Sequence, residues 1–147
     1  MRVSVVGGSS VTDREATIAR EVGHELGARD HTLVCGGRGG AMRAACRGAR
    51  EAGGHTVGVL PGTDPAAANP DVETAVATGM GHARNYLVVL NGAAAIAVDG
   101  FHGTLSEIAL ALSLGRPVAG LDTHDVDGVE AVDSATAAVG HVEAAVD

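Results

Sequence analysis

Residues 99–112, DGFHGTLSEIALAL, follow the apolar run AAAIAV and open a segment with helical periodicity. Thr104 and Glu107 stand three apart, the spacing at which a threonine hydroxyl and a glutamate carboxylate cap a helix start reciprocally. Gly100 and Gly103 lie in the same stretch. Glycine lets backbone approach a ligand and present its N–H groups. A helix start adds unpaired donors and partial positive charge, a combination that suits phosphate. Two chemistries are therefore open to these residues: a helix cap, or a cradle for a phosphate and a sugar.

Other glycine clusters repeat the second possibility. Gly7-Gly8-Ser9-Ser10, Gly36-Gly37-Arg38-Gly39-Gly40 and Gly79-Met80-Gly81 each follow a predicted strand, as Gly100 and Gly103 do. Strand-to-helix turns use glycine in any case, but four such loops exceed what turns require. None has the G-x-G-x-x-G dinucleotide spacing. A P-loop is excluded, because it needs a lysine and all ten basic residues are arginine. What remains is a phosphate-bearing ligand held by backbone. Arg38 either joins that contact or lays its stem over the surface. His82 and His102 flank the same edge as proton donors or as solvated loop residues.

Short apolar runs alternate with amphipathic stretches, and these elements must position the loops. Strands are predicted at 2–8, 31–37, 55–62, 72–79, 93–100 and 117–122, with a short one near residues 128–132. Helices are predicted from Thr12 to Leu26, at 41–52, 82–92 and 104–117, and at the end of the acidic tail. Thr12 and Glu15 also have capping-box spacing. Residues 63–73, with two prolines, form the loop-like stretch of mid-chain. Fully apolar strands alternating with helices predict a doubly wound parallel α/β sheet, Rossmann-like, in one domain over 1–147.

The 147 residues suffice for one core, built from Ala, Val, Leu and Ile, because there is one Phe, one Tyr and no Trp. A net charge of −8 argues against nucleic acid and anionic membranes as partners. The all-arginine basic set fits a GC-rich genome or a high-salt cytoplasm. Cys35 and Cys46 make no disulfide framework, and no Cys or His pair has metal-site spacing, so no metal is expected. The apolar run of MRVSVVGG is too short for a signal peptide, and no segment is long enough for a membrane helix, so a cytoplasmic protein is expected.

The stretch ANPDVETAVATGMGHARNYLVVLNGAAAIAVDGFHGTLSEIALALSLGRPVAG, with VCGGRGGAMRAACRGAREAGGHTVGVLPG, resembles the Lonely-Guy-like Rossmann proteins (lysine-decarboxylase-like, SLOG) over residues 2–121. Within them it is most similar to the branch near the molybdenum-cofactor carrier proteins. The family pattern P-G-G-x-G-T-x-x-E falls on residues 99–107, matched at Gly100, Gly103, Thr104 and Glu107. Asp99 replaces the Pro and Phe101 the second Gly. Arg84 matches the family's catalytic Arg, with Asn85 where a Lys often follows.

The resemblance implies a nucleoside 5′-monophosphate or a molybdopterin-type ligand held at Gly100, Gly103 and Thr104, and the other glycine loops add Gly8, Ser9, Gly36, Gly37 and Gly39 as expected backbone contacts. It implies catalytic roles for Arg84 and Glu107 in cleaving an N-glycosidic bond to free base and ribose 5-phosphate. A carboxylate there would stabilise the developing ribosyl cation, and a guanidinium would hold phosphate or the leaving base. The alternative is that the two only pair with each other. The substitutions at 99 and 101 favour a nucleotide-ligand carrier over a phosphoribohydrolase. The family resemblance also implies a homodimer packed through helices of the sheet's face.

Overall fold

The computed structural model describes residues 1–146. In chain order the elements are β1 (Arg2–Gly7), α1 (Asp13–Ala28), β2 (Thr32–Cys35), α2 (Ala41–Glu51), β3 (Thr56–Leu60), β4 (Thr74–Ala77), α3 (Arg84–Leu90), β5 (Ala94–Val98), α4 (His102–Ser113), β6 (Val118–Leu121), β7 (Val129–Ala131) and α5 (Ala135–Val146). Single 3-10 turns occupy Pro65–Ala67 in the proline loop and Gly81–Ala83 before α3. The strands are shorter than their apolar runs because each run also covers the first loop residues.

All seven strands join one parallel sheet in the order β4-β3-β2-β1-β5-β6-β7. This is the doubly wound, Rossmann-like α/β architecture. Alternate strand residues feed two cores. Val3, Val5, Leu33, Cys35, Ile96 and Val98 pack under α1, α2 and α5. Val6, Val34, Ala95 and Ala97 pack under α3 and α4 with Val88, Val89 and Ile108. Ser4 falls on the second face and is fully buried, and its hydroxyl donates to the Val88 carbonyl at 2.7 Å. That bond pins the end of α3 to β1.

Small side chains set how closely the layers approach. At the contact of α1 with α2, a methyl group added at Gly23 would overlap the Ala45 carbonyl. One added at Gly48 would overlap the Arg20 carbonyl. The two helices therefore pack backbone against backbone, in a core without aromatic rings. Cys35 and Cys46 lie in this layer as free thiols with their sulfurs 3.5 Å apart.

Two glycine substitutions should separate packing from propensity. Gly23→Ala forces the helices apart and is expected to cost about 2 kcal/mol or more. Gly140→Ala, in α5 with open space around the added methyl, is expected to stabilise by about 0.5–1 kcal/mol. Denaturant melts of both variants check the pair. Equal effects would contradict the close contact of α1 with α2.

Candidate functional site

The strand order reverses between β1 and β5. From β1 the chain runs outward through β2 and β3 to β4, then returns past β1 to place β5 on its other side. Loops leaving adjacent strands diverge there, and open parallel sheets bind ligands in that crevice. A cleft of about 350 Å³ opens at this point. Gly7, Gly8 and Ser9 after β1 form one wall, and Arg38 after β2 forms the next. The 3-10 turn before α3 contributes His82, the start of α3 contributes Arg84 and Asn85, and the start of α4 contributes Phe101, Gly103, Thr104 and Glu107.

The sequence-predicted residues therefore divide. Gly8, Ser9, Arg84, Gly103, Thr104 and Glu107 line one cleft. Gly36, Gly37, Gly39 and Gly100 do not, though two of these four shape it. Gly36 lies under Arg84: its carbonyl accepts from Nη2 at 3.4 Å, and a Cβ there would crowd the guanidinium at 2.8 Å. Gly100, at φ +102°, is packed against the Thr104 side chain with no room for a Cβ. Gly37, at φ +75°, packs on Leu60 and Gly58 instead. Gly39 is exposed.

Of the two readings open to Thr104 and Glu107, the reciprocal helix cap does not form. Asp99 (φ +52°) and Gly100 turn the chain early enough for α4 to begin at His102. Phe101 takes the N-cap position, and no side chain caps the helix. Thr104 is then the third helical residue and Glu107 the sixth, too deep for a reciprocal cap. At α1 the same spacing does form the box: Glu15 N–H donates to Thr12 Oγ1 at 3.2 Å, and Thr12 N–H to Glu15 Oε2 at 3.0 Å.

Freed from capping, Glu107 turns into the site. It is 8% exposed, and among the described residues it has no hydrogen-bond or ion-pair partner. Burial pushes its carboxyl up to about 7, against the pull of the Arg84 charge. Arg84 is buried as well, and burial lowers its pKa while Glu107 opposes that shift. The two groups feel each other across the cleft without forming the ion pair considered above.

Arg84 is held instead by neutral groups. Its Nη1 donates to Asn85 Oδ1. Asn85 Nδ2 donates to Ser106 Oγ at 3.2 Å, and Ser106 Oγ donates to the Gly103 carbonyl at 2.6 Å. This relay ties the start of α3 to the first turn of α4. Among the described residues the guanidinium Nε has no hydrogen-bond partner. Asn85 and Ser106 escaped the sequence-based site assignment. The signal available was an amide beside the key arginine at a position where lysine is common. Among the described residues no three His, Cys, Asp or Glu side chains come together to hold a metal.

The raised carboxyl predicts a pH dependence. Folded Glu107 keeps its proton to about pH 7, whereas an ordinary glutamate releases it near 4.5. Between those values the folded state binds the extra proton, so stability falls as pH rises through the window. Glu107→Gln removes this fall. The variant should match the wild type near pH 4 and exceed it by about 3 kcal/mol above pH 8. Denaturation midpoints across pH check this. A constant difference between the two proteins would show that Glu107 is not desolvated.

Comparison with known proteins agrees with this fold. A profile of the SLOG cluster4 family matches residues 1–146. A protein of Archaeoglobus fulgidus, itself uncharacterised, is 40% identical over 121 residues, covering 82% of this chain and 80% of its own. Among solved structures, the molybdenum cofactor binding protein of Rippkaea orientalis superposes with a TM-score of 0.93 at 30% identity, covering 99% of this chain and 97% of that one. The molybdenum cofactor carrier protein of Chlamydomonas reinhardtii superposes with a TM-score of 0.86 at 30% identity, covering 97% and 96%. With a family match that runs from Met1 through Val146, the chain belongs to the SLOG cluster4 family.

Proposed function

We propose that the cleft binds a phosphate-bearing ligand of the molybdopterin type and that the protein carries it without converting it. The observation behind this is the state of Arg84. A buried guanidinium with an unpartnered Nε and only a long bond from Nη2 is incompletely bonded. Phosphate oxygens supply the missing charge-assisted bonds. Arg38 adds a second positive charge at the exposed rim of the cleft. Gly8 and Gly103 let the ligand approach backbone, and the Thr104 hydroxyl offers a further contact. Glu107, titrating near neutrality, can donate or accept toward a ring N–H or a hydroxyl.

The relatives described as molybdenum cofactor binding and carrier proteins match almost the whole chain, which supports this ligand class. The group would bring its own metal, held by its own sulfur atoms. The chain's part is to bind the phosphate, orient the ring system and shield it from water. The face of β2, β3 and β4 on the α3 side carries a groove of about 440 Å³ in which Val34, Val57, Val59 and Val76 alternate with polar residues that include Arg2, Thr32, His55 and Thr74. With exposed Tyr86, Leu90 and Leu105 nearby in α3 and α4, it supports a homodimer. The working location proposed is the cytoplasm.

Arg84 and Glu107 in one cleft are also what a phosphoribohydrolase needs. A carboxyl that holds its proton up to about pH 7 is, however, a weak stabiliser of a ribosyl cation. Phe101 and Asp99 also change the loop that would grip the substrate's phosphate. The carrier is therefore preferred.

Calorimetric titration with 6-hydroxymethylpterin phosphate and with adenosine 5′-monophosphate tests this proposal. Arg84→Ala is expected to weaken binding by roughly ten- to a hundredfold. Asn85→Ala, which only loosens the guanidinium, should weaken it less. No free base should be released from nucleoside monophosphates. Base release by the wild type, abolished by Glu107→Gln in a protein that still melts normally, would establish the enzyme instead.

A further inference from the structure

Phe101 is the only phenylalanine of the chain, and the core does not use it. It is 72% exposed, the highest value among the exposed large apolar side chains. It also lines the cleft with Arg84 and Glu107. An apolar ring left in water at the wall of a polar cleft suggests a surface kept for a ligand rather than for packing.

The backbone that carries the ring is fixed at the start of α4. Its own carbonyl accepts from the Leu105 N–H at 3.0 Å and lies 3.0 Å from His124 Nε2. The His102 imidazole stacks on it with centroids 3.9 Å apart and planes 23° from parallel. One face is thus backed by a second ring, while the side chain as a whole remains open to solvent. Phenylalanine offers no donor or acceptor, so it reads no base edge. It offers a flat surface to any flat heterocycle.

We propose that Phe101, backed by His102, is a stacking platform for the planar heterocycle of the bound ligand, with the phosphate held on the arginine side of the same cleft. This rests on the cleft being a site for a phosphate-bearing ligand. It adds a requirement that a phosphate site alone does not impose: the ligand carries a flat ring system. Ring and phosphate then bind through separate residues, so their contributions can be removed one at a time.

Three probes distinguish the contributions: 6-hydroxymethylpterin phosphate, adenosine 5′-monophosphate, and ribose 5-phosphate, which has no ring to stack. Phe101→Ala is expected to bind the first two roughly tenfold or more weakly than the wild type. Its affinity for ribose 5-phosphate should be unchanged. Arg84→Ala should weaken all three. The chain has no tryptophan, so Phe101→Trp introduces a single indole, whose emission should be quenched on saturation with either ring-bearing probe but not with ribose 5-phosphate. Circular dichroism of the three variants confirms that they fold.

Unchanged affinity of Phe101→Ala for the two ring-bearing probes would overturn the platform while leaving the phosphate site standing. So would an equal loss for ribose 5-phosphate, or an unquenched indole at saturation. If sedimentation shows that Phe101→Ala dissociates an oligomer formed by the wild type, the ring serves a contact between copies and the platform falls. If the wild type binds none of the three probes at millimolar concentration, the phosphate site fails, and the platform with it.

Discussion

The pairing of β1 with β5 is the constraint on which the site depends. Five registered residue pairs, from Val3 with Ala94 to Gly7 with Val98, bring two segments some ninety residues apart into parallel contact. The strands end together, so the loops after Gly7 and Val98 open side by side. That closeness demands a residue without a side chain. A Cβ at Gly7 would lie 2.6 Å from both the Ala41 Cβ and the Val98 carbonyl oxygen. The crevice exists because the strand order reverses across the sheet here, and Gly7 and Gly8 bring backbone to its wall.

The charges of the cleft are balanced at a distance rather than neutralised in contact. Arg84 and Glu107 are both largely buried, and the charge of each opposes the neutralisation that burial favours in the other. A direct ion pair would satisfy both and leave little for a ligand. Instead the guanidinium is steered by the Asn85–Ser106–Gly103 relay and by the Gly36 carbonyl, all neutral partners. Neutral steering fixes where the arginine points without quenching its field. The carboxyl is left free to change protonation near neutral pH.

Packing around the cleft follows from a core of small aliphatic residues. The glycines and alanines of α1 and α2 let these helices meet backbone to backbone, giving a rigid layer on one side of the sheet. On the other side α3 is only seven residues long and leaves part of the sheet uncovered. The functional loops lie at the carboxyl edge between a closely packed face and an open one. The chain's two six-membered aromatic rings, Phe101 and Tyr86, are both exposed at this side of the molecule.

Local signals in the sequence determined the alternation of strands and helices, the glycine loops, and the Thr12–Glu15 cap. Each depends on residues within one or two turns of one another, where periodicity, φ preference and short hydrogen bonds act. The motif bearing Arg84, Gly103, Thr104 and Glu107 came into view through the family resemblance and not through these local signals. Tertiary structure decided the rest. The same Thr-x-x-Glu spacing makes a cap at α1 and not at α4, because the backbone turn at Asp99 and Gly100 sets where α4 starts. Whether Gly36, 48 residues before Arg84, touches ligand or merely supports the arginine depends on how β2 and α3 are brought together. The raised pKa of Glu107 depends on its surroundings, since the same carboxyl on an exposed helix would titrate as an ordinary glutamate. Strand order and burial are set by contacts between distant segments, and no window of sequence contains both partners.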